Sequence, residues 1–346
     1  MLTFQQKGLA LLATVAMALI CHSRAANTPA ERPLGTFTLG TPRPAGCPSG
    51  FTCKTFTVIC PGIAKNETGM IADQKPSGQI KGVVMFFSGS EGSKWWSEEG
   101  TGAPAFLQSL VNDGFELVQV RWARGWLVSP DGAQSGQELL ASRPATVIKW
   151  VHDNMYVPLG LQPNVGKCGF CITGNSAGAA QITYAMSSYG MDKVVDVAIP
   201  TSGPPMAAIS KGCLQEPGYA YAAGHARLID LSYGFSDGGP CAAHDPSFTD
   251  TWIANSDETG GTKYNYPRTR IQIIVGGQDN TVSVNHAKDY FQVLVRAQQP
   301  MLMWELVPGM SHAIQASKDG LSALFTALTV TPAPVPSHQS EPQPRR

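Results

Sequence analysis

The chain has 346 residues, 43% of them hydrophobic and only 14% charged, with Lys+Arg and Asp+Glu equal at 25 each. That length carries one large domain or two ordinary ones around a sizeable core. A neutral, charge-poor surface argues against nucleic acid or an anionic membrane as the main partner.

At the N-terminus Lys7 precedes an apolar run, Gly8 to Ile20, and Ser23-Arg24-Ala25 offers small residues for cleavage. Residues 1–25 therefore read as a signal peptide and the protein as secreted, since the run is short for a membrane span and no stable anchor is expected. Residues 26–53 are rich in Pro, Gly and Thr and read as an irregular arm. Lys54 to Cys60 alternates as a strand does. The following loop, to Pro76, carries the glycosylation sequon Asn66-Glu67-Thr68 and is expected to be exposed.

Lys81 to Gly89 is a Val- and Phe-rich run of strand length, as expected of a strand buried on both faces. Helical spacing follows from Ala103 to Asp113, ended by Gly114. Phe115 to Trp122 is a strand, and Gln137 to Asn154 a long amphipathic helix. After Gly169 to Met186, strands are expected at Val194 to Pro200, Ile271 to Gly277 and Met301 to Val307, with a helix at Ala287 to Ala297. This alternation predicts an α/β fold: a mostly parallel central sheet flanked by helices. The core domain is placed at 54–330, and the Gly-, Pro-, Tyr- and Cys-rich stretch at about 203–268, too long for a connection, reads as a cap or lid insertion. Residues 331–346 are Pro-, Gln- and Ser-rich and are expected to be a disordered tail.

Of eight cysteines, Cys21 falls in the leader and seven remain: Cys47, Cys53, Cys60, Cys168, Cys171, Cys213 and Cys241. In an exported protein most should pair, and an odd number leaves at least one free or intermolecular. Cys213 with Cys241 is the expected bridge within the insertion. Cys168-Gly169-Phe170-Cys171 has the spacing of a redox or zinc pair, but a strand would point the two side chains to opposite faces and no second ligand pair accompanies it. No metal and no cofactor is expected, and the sequence is silent on oligomeric state.

The organising stretch is Gly174-Asn175-Ser176-Ala177-Gly178, a Gly-x-Ser-x-Gly between an apolar run and small residues of helical potential. A serine on a sharp strand-to-helix turn needs small neighbours two positions either side, which Gly174 and Gly178 supply, and such a turn puts the Ala177 N–H at a helix N-terminus where it can meet an oxyanion. A serine hydroxyl needs a base, and the base an acceptor that holds its tautomer. Of the seven histidines, His312 follows the last strand directly, and Asp279 follows the strand before it. Ser176, Asp279 and His312 thus stand at C-terminal strand ends, where open parallel sheets carry their sites. The second oxyanion donor should come from the turn Ser88 to Gly92, with Ser90 first and Glu91 next. Trp95, Trp96, Trp122 and Trp126 also follow strand ends, and Trp95, Trp96 and Trp126 are candidates for a substrate pocket.

On these residues the sequence resembles the α/β-hydrolase fold family, with GNSAG as elbow, Asp279 and His312 as partners and FFSGSEG as oxyanion strand and turn, over roughly residues 54 to 328. The resemblance implies an acyl-enzyme formed on the serine, with an ester or less often another acyl substrate, and then hydrolysis. The chain departs from it at Ser88, where many lipases and esterases carry histidine, and at Asn175, where acidic residues are common. The leading expectation is a carboxylic ester, small or polymer-derived. Peptide, lactone and acyl-transfer chemistry, and a non-catalytic binding protein of the same fold, are the alternatives.

Overall fold

The computed structural model describes residues 30–330, except positions 131, 163, 164 and 237. The leader and the tail expected at 1–25 and 331–346 lie outside the described residues. Nine strands form one sheet: β1 (Thr36–Pro42), β2 (Thr52–Ile59), β3 (Glu67–Gln74), β4 (Gly82–Phe87), β5 (Phe115–Trp122), β6 (Phe170–Asn175), β7 (Val197–Thr201), β8 (Arg270–Gly276) and β9 (Leu302–Val307). Their order is β1-β2-β3-β5-β4-β6-β7-β8-β9. The first three and the β3–β5 junction are antiparallel, and the run from β5 to β9 is parallel. The mostly parallel sheet expected from the sequence is therefore present.

The helices are α1 (Ala103–Asn112), α2 (Gly136–Leu140), α3 (Ser142–Val151), α4 (Ala177–Tyr189), α5 (Ile209–Cys213), α6 (Ala223–Ser232), α7 (Thr249–Asn255), α8 (Ser283–Arg296) and α9 (Lys318–Thr329). They cover both faces. Val83, Met85 and Phe87 of β4 join the core beneath α3, α4 and α8, while Val84 and Phe86 join the core beneath α1 and α9. Every residue of β4, β6 and β8 is buried, which is why β4 runs apolar without alternation; the polar Arg270 and Gln272 of β8 are buried and hydrogen-bonded to each other.

Four expectations are corrected. The arm at 26–53 is not irregular throughout, because β1 pairs with β2. The stretch expected as an exposed loop contains β3, which alternates buried and exposed residues and bridges the hairpin to β5; Glu67 at its start is buried, with its carboxylate taking the Arg124 N–H and guanidinium. The single helix at 137–154 is two helices and a π-helical turn, His152–Tyr156. Pro144 accounts for the break between the two helices, since it has no N–H for the Leu140 carbonyl and its ring crowds that position. Cys168 lies in the turn before β6 rather than on it, so the Cys168–Cys171 bridge forms. Cys47–Cys53 is a third bridge beside Cys213–Cys241, and Cys60 is free and buried, its thiol pushed up by burial.

The segment between β7 and β8, expected to be a cap, is built of α5, α6, α7 and connecting turns. Its Met206, Ile209, Tyr221, Ile229 and Trp252 belong to the main core, so it is packed down as firmly as the sheet. The Cys213–Cys241 bridge closes a separation of 28 residues within it. Replacing both by alanine is expected to lower stability by about 3–4 kcal/mol through the restored loop entropy of the unfolded chain. A denaturant midpoint unmoved from the parent's would mean that packing alone holds the segment.

Candidate functional site

Ser176 sits between the last residue of β6 and the first of α4, at φ 55° and ψ −123°. A side chain in that region of backbone space costs about 1–3 kcal/mol and persists only where its surroundings dictate it. The Ser176 N–H donates to the Thr201 carbonyl of β7 at 2.9 Å, and its own carbonyl accepts the Ala179 N–H at 2.8 Å. A Cβ on Gly174 would stand 2.4 Å from the Gly178 oxygen, and one on Gly178 would stand 2.3 Å from the Phe87 oxygen. The start of α4 is therefore pressed onto the ends of β6 and β4 with no room for any side chain. Among the described residues no acceptor takes the Ala177 N–H. It is one of the unpaired donors that every helix start leaves open.

Asp279 and His312 are in contact. His312 Nδ1 lies 2.9 Å from Asp279 Oδ2, and the Asp279 side chain is enclosed. Asp279 Oδ1 accepts the Thr281 N–H at 2.9 Å, and Thr281 Oγ1 lies 3.2 Å from the same ring nitrogen. Burial pushes the Asp279 carboxyl up, but the bonds from His312 and Thr281 outweigh it and hold the group below its ordinary value. An ionised acceptor at Nδ1 assigns the proton to that nitrogen and leaves the Nε2 lone pair free.

The histidine loop reaches back across the sheet ends to the serine. Ile314 N–H points at Asn175 Oδ1 at 3.5 Å, so the residue two beyond His312 meets the residue before Ser176. No hydrogen bond joins Ser176 Oγ to His312 among the described residues. Such bonds commonly tighten only when substrate is bound.

Ser90 follows β4 at φ 48°, one of six non-glycine residues with positive φ among those described. Its neighbour Gly89 lies beside the serine, since a Cβ there would come within 3.5 Å of Ser176 Cβ. The Gly89 N–H is taken by Glu99 Oε1 at 2.8 Å, whereas no acceptor takes the Ser90 N–H among the described residues. Glu91, the second candidate, likewise has no acceptor for its N–H among the described residues, and its side chain pairs with Arg227 of α6 at 3.2 Å. The same helix carries His225, whose pKa burial depresses, with the charge of His312 adding to the effect.

The tryptophans are corrected. Trp95, Trp96 and Trp126 have no exposed surface and cannot meet a ligand from solvent. Trp95 donates its ring N–H to the Gly46 carbonyl at 2.7 Å, Trp96 packs on Phe86 and Phe106, and Trp126 is in the main core. Residues after buried strands face inward as readily as toward a site, and sequence position alone does not separate the two.

Several residues at the site lay outside the sequence reading. Thr281 had a weak signal in the turn-prone Asp-Asn-Thr run. Glu99 and Gln315 had none. Glu99 Oε2 accepts Gln315 Nε2–H at 2.8 Å, and burial drives the Glu99 carboxyl up to about 7 against the opposing pull of the Gly89 N–H, Lys94 and His312. Among the described residues no group of His, Cys, Asp or Glu could hold a metal ion.

No protein-family model matches the chain, and no curated protein matches it in sequence. Among solved structures, an acylaminoacyl peptidase in complex with Z-Gly-Gly-Phe-chloromethyl ketone is similar with a TM-score of 0.51 and 13% identity, over 82% of this chain and 42% of that one. Carboxyl esterase 2 of the mycorrhizal fungus Tuber melanosporum gives 0.48 and 15%, over 80% and 84%. A probable hydrolytic enzyme from Pseudomonas aeruginosa gives 0.47 and 13%, over 82% and 96%. The chain thus spans less than half the length of the peptidase. Identity at this level speaks to architecture alone, and with the sheet order above it gives the α/β-hydrolase fold.

Gly178→Ala is expected to destabilise the protein by about 1–3 kcal/mol, because its Cβ meets backbone oxygens that cannot move aside. A thermal melt that matches the parent's would show that α4 can shift off β4.

Proposed function

We propose that the chain is a secreted serine hydrolase that cleaves a carboxylic ester through an acyl-enzyme on Ser176. The observation that carries this reading is the Asp279–His312 pair, with the ring tautomer assigned and its loop bonded back to the strained Ser176 turn. In this reading His312 Nε2 takes the proton of Ser176 Oγ as that oxygen attacks the acyl carbon, and the Asp279 carboxylate stabilises the imidazolium. The Ala177 and Ser90 N–H groups, unclaimed by acceptors among the described residues, meet the oxygen that becomes negative. The tetrahedral intermediate collapses, the departing alkoxide takes the proton from His312, and water activated by the same nitrogen then releases the acid.

Export is supported by the three disulfides, which persist in oxidising compartments, and by the leader-like residues 1–25. No helix among the described residues is long and apolar enough to cross a membrane. The exposed Asn66 is available for glycosylation.

A fluorophosphonate probe is expected to label the parent but not Ser176→Ala; equal labelling of both would sink the reading. Asp279→Asn should keep the fold and lower kcat by about 10⁴ through the wrong ring tautomer. A panel of matched esters, amides and lactones assigns the acyl chemistry, with the ester expected to turn over fastest.

A further inference from the structure

Glu99 belongs to no motif, yet it is bonded to both sides of the site. Its Oε1 accepts the Gly89 N–H at 2.8 Å, one residue before Ser90. Its Oε2 accepts Gln315 Nε2–H at 2.8 Å, three residues beyond His312. The contact is built in rather than made by a long side chain reaching through solvent. A Cβ on the next residue, Gly100, would stand 2.4 Å from the Gln315 carbonyl carbon, so the two backbones already touch. Gln315 itself is fully buried, and its Oε1 has no partner among the described residues.

We propose that Glu99 is a positioning residue for hydrolysis: its carboxylate clamps the Ser88–Gly92 turn to the His312 loop and places a negative charge within electrostatic reach of the ring that accepts the serine proton. The inference rests on the reading of Ser176, His312 and Asp279 as catalytic.

Both Glu99 oxygens act as acceptors, which is the bonding pattern of an ionised carboxylate. A proton on either oxygen faces a donor. At Gln315 the conflict has a remedy, because the amide can turn over and offer its unpaired Oε1 to the new O–H. At Gly89 there is none, since a backbone N–H can only donate. Protonation is thus coupled to the Gln315 amide. The charged groups acting on Glu99 are Lys94, from the segment after the turn, and His312, from the opposite loop; both favour ionisation, and burial opposes them and prevails. Glu99 therefore titrates near neutrality while Asp279 stays ionised. Below about pH 7 Glu99 is neutral and His312 loses a counter-charge; above it the charge is present. Activity governed by this group rises with pH.

The test uses the full chain with Glu99→Gln and Glu99→Ala. The amide introduced by Glu99→Gln keeps an oxygen for the Gly89 N–H and, with the Gln315 amide turned over, an N–H for the Gln315 Oε1, so the clamp survives without the charge. The first readout needs no turnover. The Gly89 amide nitrogen shift is expected to titrate near neutrality in the parent and to stay flat in Glu99→Gln; a flat profile in both overturns the clamp. The second readout is kcat/KM against pH on an ester the parent cleaves. Glu99→Gln is expected to melt with the parent, lose roughly tenfold above pH 8, equivalent to about 1.4 kcal/mol of lost charge interaction, and shed one ionisation from the acid limb. Glu99→Ala is expected to lose more at every pH. Superimposable profiles for parent and Glu99→Gln, or higher activity in Glu99→Gln, overturn the proposal. A parent that neither turns over esters nor reacts with the probe overturns the hydrolase reading instead, while the Gly89 titration still reports on the clamp.

Discussion

The start of α4 touches the ends of β4 and β6 backbone to backbone. With a hypothetical Cβ on Gly174 or Gly178 standing under 2.5 Å from a carbonyl oxygen, the helix cannot be accommodated with any other residue at those positions unless the sheet ends move. The closeness turns the chain so sharply that Ser176 takes a positive φ, and it brings the Ala177 N–H beside the turn that follows β4. Other features of the site lean on this contact. Gly203 sits at the next strand end, and a Cβ there would come within 2.8 Å of the Ser176 oxygen. Gly89 lies close on the other flank. Ser176, the Ser88–Gly92 turn and the end of β7 are thus locked together by missing side chains, so strain at Ser176 is carried by the sheet rather than by a flexible loop.

Asp279, His312 and Glu99 are held by a different means, charge-assisted hydrogen bonds in a partly enclosed space. Asp279 is caught between the Thr281 N–H and the His312 ring, and Glu99 between Gly89 and Gln315. The two carboxyls differ in what burial does to them. For Asp279 the bonds outweigh desolvation and the group stays ionised, whereas for Glu99 desolvation dominates. Two acids flanking one histidine with ionisations pushed apart is the arrangement by which environment assigns different roles to like groups. The inserted segment shares in this frame. Arg227 binds Glu91, His225 feels the charge of His312, and aromatic residues of the insertion are part of the core.

Legibility followed the type of physical signal. β4 was readable as a continuous apolar run, as expected of a strand buried on both faces, and β5, β6 and β8 as short stretches rich in β-branched and aromatic residues. β3 was not, because Glu-Thr-Gly-Met-Ile-Ala-Asp-Gln has few apolar residues, and its pairing with β2 and β5 is decided by neighbours distant in the chain. The helix break at Ala141 has its signal in Pro144, three residues on, but the amphipathic pattern continues through it and masks the break. Trp95 and Trp96 were misplaced because following a strand end does not say which side of the sheet a ring enters.

By itself the sequence determined the alternation of strands and helices, the glycines that permit the Ser176 turn, and the positions of Asp279 and His312 at later strand ends. These are local properties: periodicity, backbone freedom and offsets along the chain. Only the tertiary structure decided that Asp279 and His312 touch, that the Gly89 N–H is taken while the Ser90 N–H has no acceptor among the described residues, and that Glu99 joins the two loops. Those facts depend on residues far apart in sequence. The Glu99–Gln315 bond spans 216 positions, and it exists because α1 and α9 pack on one face of a sheet whose strand order no local pattern encodes.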